Sequence, residues 1–311
     1  MTMPAVLQGR LSIPVIAAPL FIISHPELVL AQCRAGVVGS FPSLNARPIE
    51  QLDEWLAHLT AELTPTDAPF AVNLIVHKSN TRVDADLALC VKHRVPLIIT
   101  SLGAREDVYA AIHSYGGIVL HDIIDDRFAR KAIDKGADGL IAVAAGAGGH
   151  AGTLSPFALV QEIRQWFDGP LALSGAIATG GAVLAAQAIG ADVAYIGSAF
   201  IATHEARAAD AYKQGIVDGR AADIVYSNLF TGVHGNYLGG SIRAAGLDPA
   251  NLPQSDASQM NFGDGAAKAW KDIWGAGQGV GAVDAVVGVT ELVARLRREY
   301  EEARTRVSMS V

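Results

Sequence analysis

The sequence predicts an α/β protein folded as a (β/α)8 barrel, and three observations support this fold class. Eight short apolar segments recur along the chain, with amphipathic helical segments between them. The apolar segments begin roughly 20 to 35 residues apart, the length of one strand, one helix and two short loops. Aromatic residues make up only 6%, and a composition rich in small and aliphatic residues suits parallel strands buried on both faces. Because no long polar linker interrupts the series, a barrel is favoured over a doubly wound sheet of two halves.

The eight candidate strands are apolar runs of strand length. They begin near Ile13, Gly36, Phe70, Pro96, Gly117, Asp138, Pro170 and Asp192. The candidate helices carry apolar residues at helical spacing and include residues 49–63, 83–93, 105–114, 127–135, 156–167 and 180–189. Glycine stands near three helix ends, at positions 116, 136 and 190, where a left-handed cap favours it. The pair Asp125-Asp126 is typical of a helix amino end.

The βα rhythm stops after Phe200. Helical fragments follow, and then a Gly/Pro/Asn-rich stretch runs from Gly235 to Asn261 before the helical segment Val283–Thr305. We therefore expect a barrel made of residues 1–205 and 280–311, with residues 206–279 forming a mostly helical or irregular insertion after the eighth strand. An insertion at that point lies on the catalytic face of a barrel, where it can form a lid or a substrate wall.

Charge and cysteine content argue against several classes of protein. The 311-residue chain has 24 basic and 31 acidic residues and a net charge of −7, so no nucleic-acid partner is expected. Cys33 and Cys90 lie in apolar helical stretches without CxxC spacing, which predicts buried thiols in a reducing compartment. Pro14 and Pro19 interrupt the one segment that resembles a signal peptide, and no apolar run could span a bilayer. The expected location is the cytoplasm, with no membrane partner.

Small residues end the seventh and eighth candidate strands. The segments are Ser174-Gly175-Ala176 and Gly197-Ser198. Turns of this kind leave backbone N–H groups accessible, and barrels often bind phosphate after these two strands. The alternative is that the glycines only make tight turns. Phosphate binding is favoured because both loops carry the pattern.

A Gly-rich loop, residues 144–152, follows the sixth candidate strand and contains His150. The backbone of such a loop can approach a flat ligand closely. His150 is the only side chain in the loop that exchanges protons near neutral pH, which favours an active-site role over a surface histidine. The spacing Gly146-x-Gly148-x-x-Ala151 also matches a dinucleotide fingerprint. That match is weak, because the loop follows a sixth strand and no acidic residue ends the next one.

Other chemistries find less support in the sequence. No HExxH or similar ligand spacing is present, so no metal site is expected. No serine stands in a GxSxG elbow, and no lysine ends the sixth or seventh strand as a Schiff-base residue would. His77 and Lys78 after the third strand, and His121 at the end of the fifth, could face the site.

Six segments at strand ends and near the carboxyl terminus carry a family resemblance. They are PVIAAPL at 14–20, FAVNL at 70–74, GGHAG at 148–152, SGA at 174–176, GS at 197–198 and WGAGQG at 274–279. In this order they resemble the nitronate monooxygenase family, the FMN-dependent barrel flavoproteins once called 2-nitropropane dioxygenases. The resemblance covers almost the whole chain and is more specific for the FMN fold than for the substrate.

The resemblance implies roles for the matching residues. The residues implied to lie along or close to the isoalloxazine ring are Pro19, Leu20, Asn73, Gly148 and Gly149. Those implied to hold the phosphate are Ser174, Gly175, Ala176, Gly197 and Ser198, and Gln278 would reach the site from the late loop. His150 matches the family histidine proposed to remove the α-proton of a neutral nitroalkane.

Two positions depart from the pattern of some relatives. Asp122 stands after the fifth strand where some carry Lys, and Ala18-Pro19 stands where some carry a Gly pair. Asp122 would therefore face the cofactor with the opposite charge and leave open how negative charge on the reduced flavin is stabilised. In the insertion, Tyr226, His234 and Tyr237 are candidates for substrate contacts.

The activity implied by the resemblance is oxidation of alkyl nitronates or nitroalkanes by O2 to a carbonyl compound and nitrite. The partners would then be a small-molecule substrate and O2, and a homodimer is compatible with this expectation. Two alternatives stay open. One is an NAD(P)H-dependent flavin reductase of quinones or enoyl thioesters, since fold alone does not decide the reaction. The other is a phosphate-binding barrel without flavin.

Overall fold

The computed structural model describes residues 4–255 and 272–309, and it contains the predicted barrel. In chain order the strands are β1 (Val15–Ala17), β2 (Gly39–Pro42), β3 (Phe70–Ile75), β4 (Leu97–Ser101), β5 (Ile118–Ile123), β6 (Gly139–Val143), β7 (Gly149–His150), β8 (Leu171–Ser174), β9 (Val193–Ile196), β10 (Ile224–Ser227) and β11 (Gly235–Leu238). Eight of them form a parallel sheet in the order β1-β9-β8-β6-β5-β4-β3-β2. A bridge between Ile16 and Val38 joins the first two strands and brings the sheet close to closure.

Helices cover the outside of the barrel. They are α1 (Pro26–Arg34), α2 (Ile49–Glu62), α3 (Val83–Lys92), α4 (Glu106–His113), α5 (Asp126–Asp134), α6 (Pro156–Arg164), α7 (Gly180–Ala188), α8 (Ser198–Ile201), α9 (Asp210–Asp218), α10 (Gly239–Ala244) and α11 (Val289–Ser308). The last of these packs on α7, where a Cβ atom at Gly180 would come within 2.1 Å of the Leu296 carbonyl oxygen. Glycine therefore permits the close approach that completes the helical layer.

Successive strand residues face opposite sides, and this alternation sets the position of the core. In β4, Leu97 and Ile99 point into the barrel interior, whereas Ile98 packs in the layer between strands and helices. The residue two places beyond Ile99 is Ser101, at the carboxyl end of the strand. The same alternation brings polar residues to the interior mouth of the neighbouring strands.

Several local predictions are confirmed. Gly116, Gly136 and Gly190 have positive φ angles after α4, α5 and α7. Asp125 caps α5 by accepting a hydrogen bond from the backbone N–H of Phe128. Both cysteines are buried free thiols.

The chain between α8 and α11 contains a strand pair that the sequence analysis did not predict. β10 pairs with β11, and β11 pairs in antiparallel fashion with β7, giving a second sheet of three strands. The Gly-rich loop after the sixth strand therefore contributes a short strand, β7, to this second sheet. Residues 256–271, which belong to the predicted insertion, lie outside the described residues. In the two described ranges, no helix has both the length and the apolar character needed to cross a membrane.

Candidate functional site

A cavity of about 720 Å³ lies at the carboxyl ends of the barrel strands, within the usual size range of ligand pockets. The sequence-predicted site residues that line it are Pro19, Leu20, Asn73, Asp122, Gly148, Gly149, His150, Ser174, Gly175, Ala176, Gly197 and Ser198. Gln278 is exposed and does not line the cavity. Its backbone N–H donates to the Gly146 carbonyl at 2.9 Å, and its neighbours Gly277 and Gly279 line the wall. The fold thus gathers the predicted residues around one space.

A hydrogen-bond relay crosses the ends of β3, β4 and β5. The Asn73 amide donates to Ser101 Oγ at 2.7 Å, and the Ser101 hydroxyl donates to Asp122 Oδ2 at 2.7 Å. All three residues occupy interior-facing positions at neighbouring strand ends, which is why they meet. Sequence reasoning missed Ser101, although a polar residue at the end of an apolar strand was visible.

Asp122 has an unusual environment for a carboxyl group. Its Oδ1 atom is buried and has no hydrogen-bond partner among the described residues. Burial raises the pKa of Asp122 to about 7, and the hydrogen bond from Ser101 only partly opposes the shift. The group therefore changes protonation near neutral pH.

The loop after β1 is held by a side chain that the sequence analysis missed. Asn45 donates to the carbonyl oxygens of Leu20 and Ser24, and its Oδ1 accepts from the backbone N–H of Ile22. Ile22 has φ +59°, a left-handed conformation that is costly for a β-branched residue. The bonds from Asn45 stabilise this backbone and so fix Leu20 at the cavity wall.

The loops after β8 and β9 contain small residues, and glycine is needed at two positions in them. Gly175 has φ +145°, and a Cβ atom there would come within 2.8 Å of the Ala145 carbonyl. A Cβ atom at Gly197 would contact Leu20 Cδ2 at 3.5 Å, so glycine keeps this wall open. Lys131 on α5 is the one Lys or Arg among the described residues that line the cavity. An anion after β8 and β9 would therefore depend on backbone N–H groups and hydroxyls.

His150 lies on β7, opposite Gly235 of β11. Its Nε2 atom is 3.0 Å from Thr231 Oγ1, and the Thr231 hydroxyl donates to the Val233 carbonyl at 3.1 Å. With that hydroxyl proton engaged, Nε2 is assigned as the protonated nitrogen that donates to Thr231. Burial lowers the pKa of His150 to about 4, so the imidazole is neutral at pH 7.

The inserted strands position the histidine loop. Asn236 donates from Nδ2 to the Ala147 carbonyl at 2.6 Å, and the Tyr226 hydroxyl donates to the Ala151 carbonyl at 2.9 Å. These two bonds flank His150 on both sides along the chain. Thr231 and Asn236 carried no sequence signal, because they lie more than 80 positions from the loop that they contact.

An aromatic pair lines the cavity mouth. Tyr226 and His234 stack with ring centroids 5.0 Å apart and an interplanar angle of 23°. Tyr237, the third candidate for substrate contact, is buried in a separate cluster with Ile242 and Ile273 and does not line the cavity.

The remaining candidate side chains divide between cavity and core. His77 lines the cavity and Lys78 does not. His121 touches its edge, but its Nδ1 lies 2.7 Å from Thr100 Oγ1 and 3.0 Å from the Tyr109 hydroxyl, toward the helical layer. Within residues 4–255 and 272–309, no group of His, Cys, Asp and Glu is arranged to hold a metal ion.

Comparisons with known proteins agree with this architecture. Residues 79–299 match the family model for nitronate monooxygenase. A nitronate monooxygenase of Paraburkholderia phytofirmans is 25% identical, with 93% of each chain covered. A Rhodococcus jostii protein, a hydroxy-methyl-oxo-octahydro-indene-carboxyl-CoA dehydrogenase, is 27% identical over 64% of this chain and 55% of its own length.

Solved structures of similar fold span nearly the whole chain. The nitroalkane oxidase of Streptomyces ansochromogenes has a TM-score of 0.82 and 25% identity, and the match covers 97% of this chain and 100% of that one. FabK from Thermotoga maritima has a TM-score of 0.82 over all of both chains at 22% identity, a likeness of fold. Since the family model matches well over half of its residues, the chain belongs to the nitronate monooxygenase family and is a flavin-dependent oxidoreductase of the kind that oxidises nitro compounds.

Proposed function

We propose that this protein binds FMN in the barrel cavity and uses O2 to oxidise alkyl nitronates, and nitroalkanes after loss of their α-proton, to a carbonyl compound and nitrite. The observation that carries the proposal is His150, a neutral imidazole held in the cavity wall of a chain from this family. In this proposal, the barrel, residues 1–205 and 280–311, binds FMN. The inserted cap, residues 206–279, lies on the substrate side.

The lining of the cavity fits a flavin mononucleotide. Pro19 and Leu20 offer an apolar wall for a flat ring, and Asn73 and Asp122 offer polar groups at its edge. The buried Oδ1 of Asp122 lacks a partner within the described residues, which is the kind of atom that a polar ring edge can satisfy. Because Gly197 has no side chain, space remains beside its backbone, and a phosphate held by backbone N–H donors would fit there. When bound, FMN supplies the capacity to accept electrons, which none of the described side chains that line the cavity has.

His150 is proposed to act as the base toward neutral nitroalkanes. Its neutral form has a nitrogen lone pair that can accept the acidic α-proton, and Thr231 holds the ring in place through Nε2. Before substrate binds, burial disfavours the protonated form of His150, the imidazolium. A nitronate anion formed beside the ring stabilises that imidazolium, so proton transfer and binding of the anion support each other. The apolar walls exclude water from the exchange.

The first test is the absorbance spectrum of the purified protein and the identity of any flavin released on denaturation. A colourless protein that does not take up FMN would contradict the cofactor assignment. Rapid bleaching by NADH or NADPH without oxygen, with no nitrite formed from nitronate in air, would instead favour the reductase.

The second test compares His150→Asn on two substrates. Removing the base should lower nitrite release from a neutral nitroalkane by about 100-fold or more, within the range of general-base contributions. Turnover of the preformed nitronate should stay near that of the unaltered protein. His113→Asn is the matched control, because His113 lies outside the cavity and its Nε2 atom contacts Asp138 Oδ2 at 2.8 Å on the solvent-accessible surface. Equal loss on both substrates would remove His150 from the role of base.

A further inference from the structure

Asp122 is the one acidic side chain among the described residues that line the cavity, and it accepts a hydrogen bond from Ser101. We propose that Asp122 is a proton-carrying ligand of the bound cofactor: its carboxyl group faces the flavin as a neutral acid, and its ionisation weakens cofactor binding. This inference rests on the proposed FMN site. It assigns to Asp122 a role that depends on its protonation state.

The direction of the relay supports a neutral carboxyl group. Ser101 has one hydroxyl proton, and that proton is donated to Asp122 Oδ2 while its oxygen accepts from Asn73. Asp122 therefore receives a single hydrogen bond, and Oδ1 is buried without a partner in the described residues. An ionised carboxylate in this position is poorly compensated, whereas a protonated one gains a donor that a ring carbonyl or nitrogen can accept.

Among the described residues, no cation compensates the charge of an ionised Asp122. Asn73 and Ser101, on β3 and β4, are uncharged, and Tyr195 on β9 stays neutral because burial raises the pKa of its hydroxyl. The other titratable or charged groups that line the cavity are His77, His121, Lys131, His150, Tyr212, Tyr226 and His234. Among the described residues, the hydrogen bond from Ser101 is the one side-chain contact that opposes the pKa shift of Asp122, so none of these groups compensates its charge. Burial therefore dominates and raises the pKa of Asp122 to about 7.

Asp86 shows how the same chain treats a carboxylate with a structural role. Asp86 is fully buried, and both of its oxygens are engaged: Oδ2 accepts from Ser43 at 2.7 Å and Oδ1 from Arg82 at 2.9 Å. The Arg82 guanidinium and Ser43 partly offset the burial, which still raises the pKa of Asp86. Asp122 faces a ligand cavity and has neither the second donor nor the cation, which separates it from a carboxylate retained for stability.

The proposal has a defined pH dependence. If FMN binds the form with a neutral Asp122, the dissociation constant is flat below the pKa of about 7. Above that pKa one proton must be taken up for each FMN bound, so the constant should rise by about tenfold per pH unit until the pKa of the complex is reached.

The experiment is an FMN titration of the flavin-stripped full-length chain, followed by quenching of FMN fluorescence between about pH 5 and 9. The unaltered protein should show the rise above neutrality. Asp122→Asn, which keeps the shape and cannot ionise, should show only the residual dependence that comes from the FMN phosphate and is common to both proteins. Ser101→Ala removes the donor to Oδ2 and should move the onset to higher pH, because the ionised form then loses its one hydrogen bond.

Infrared spectroscopy gives a reading of protonation that does not depend on FMN. The carboxylic-acid band of Asp122 should titrate near neutrality in the stripped protein and be absent from Asp122→Asn. The same pH dependence of FMN binding in both proteins, or infrared spectra of the two proteins that differ by no carboxylic-acid band titrating near neutrality, would overturn the proposal. Failure to bind FMN at any pH would contradict the proposed function instead.

Discussion

Gly235 on β11 and His150 on β7 lie directly opposite each other in the antiparallel strand pair that joins the insertion to the barrel. A Cβ atom at Gly235 would come within 2.7 Å of the Gly149 carbonyl oxygen and 3.1 Å of the Tyr237 hydroxyl. The main-chain position of the proposed base thus depends on a glycine 85 residues farther along the chain. Two predictions follow from the way the insertion holds His150.

The first concerns Gly235→Ala. The added methyl group must push β7 away from β11, so we expect a folding cost of about 1–3 kcal/mol. Displacement of His150 should lower kcat/KM for a neutral nitroalkane by about 10- to 100-fold. Gly240→Ala is the matched control, because a Cβ atom there meets nothing within 4 Å. Nitrite assays and thermal unfolding measure both effects, and similar behaviour of the two variants would contradict the strand-pair argument.

The second concerns Thr231→Val, which keeps the shape and removes the hydroxyl that His150 Nε2 contacts. A hydrogen bond of this kind contributes about 1 kcal/mol, so proton abstraction from a neutral nitroalkane should slow by about fivefold. Turnover of the preformed nitronate should change little. Thr231→Ser restores the hydroxyl and should restore the rate. A loss that serine fails to recover would indicate a packing role for the threonine.

Sequence patterns predicted the barrel well because its signals are local. The alternation in strands such as Leu97–Ser101 and the positive-φ glycines at helix ends are each encoded within a few residues. Strand ends were therefore located, and with them most of the cavity lining. Ser101 could have been found by the same rule, since it ends β4 with a polar residue, and Asn73 and Asp122 lie within two residues of the ends of β3 and β5.

The small sheet could not be predicted in this way. β7 has only two residues, and Gly149 pairs with Asn236, far away in the sequence. Neither segment alternates apolar and polar residues, so nothing local specifies a register. Thr231 and Asn45 are similar cases: each acts through a hydrogen bond to a segment that is distant in the chain.

The third prediction concerns the pH dependence of nitroalkane turnover. His150 has its pKa lowered to about 4, and a base must be unprotonated to act, so its activity is present above that pKa and lost as pH falls through it. Titration of His150 should therefore leave kcat/KM for a neutral nitroalkane unchanged from neutrality down to about pH 5 and lower it below that pH. A pH–rate profile of the unaltered protein tests this, with preformed nitronate as the reference substrate. A loss of activity centred near pH 6.5, the ordinary pKa of histidine, would show that the imidazole is more solvated in the working enzyme than in this structure.

The fourth prediction links a buried ion pair to the loop that carries Leu20. Arg82 pairs with the fully buried Asp86 and donates to the Ala46 carbonyl, next to Asn45. Replacing Arg82 with Met leaves the Asp86 charge buried and uncompensated, which should cost about 3–5 kcal/mol of folding free energy. Because Asn45 then loses its support, FMN affinity should fall as well.

Arg130→Met provides the comparison, since Arg130 pairs with Asp126 on the accessible face of α5 and lies over the Trp166 ring, where a methionine side chain can still pack. An exposed pair of this kind contributes about 0–1 kcal/mol, so its loss should leave both the unfolding midpoint and FMN affinity nearly unchanged. Denaturant unfolding and FMN titration of the two variants separate the outcomes. If Arg82→Met were as stable as Arg130→Met, the buried pair would not be needed for the fold. If Arg82→Met were destabilised yet bound FMN normally, the position of Leu20 would not depend on Asp86 through Asn45. The loop after β1 would then be held by its own contacts with Ser24.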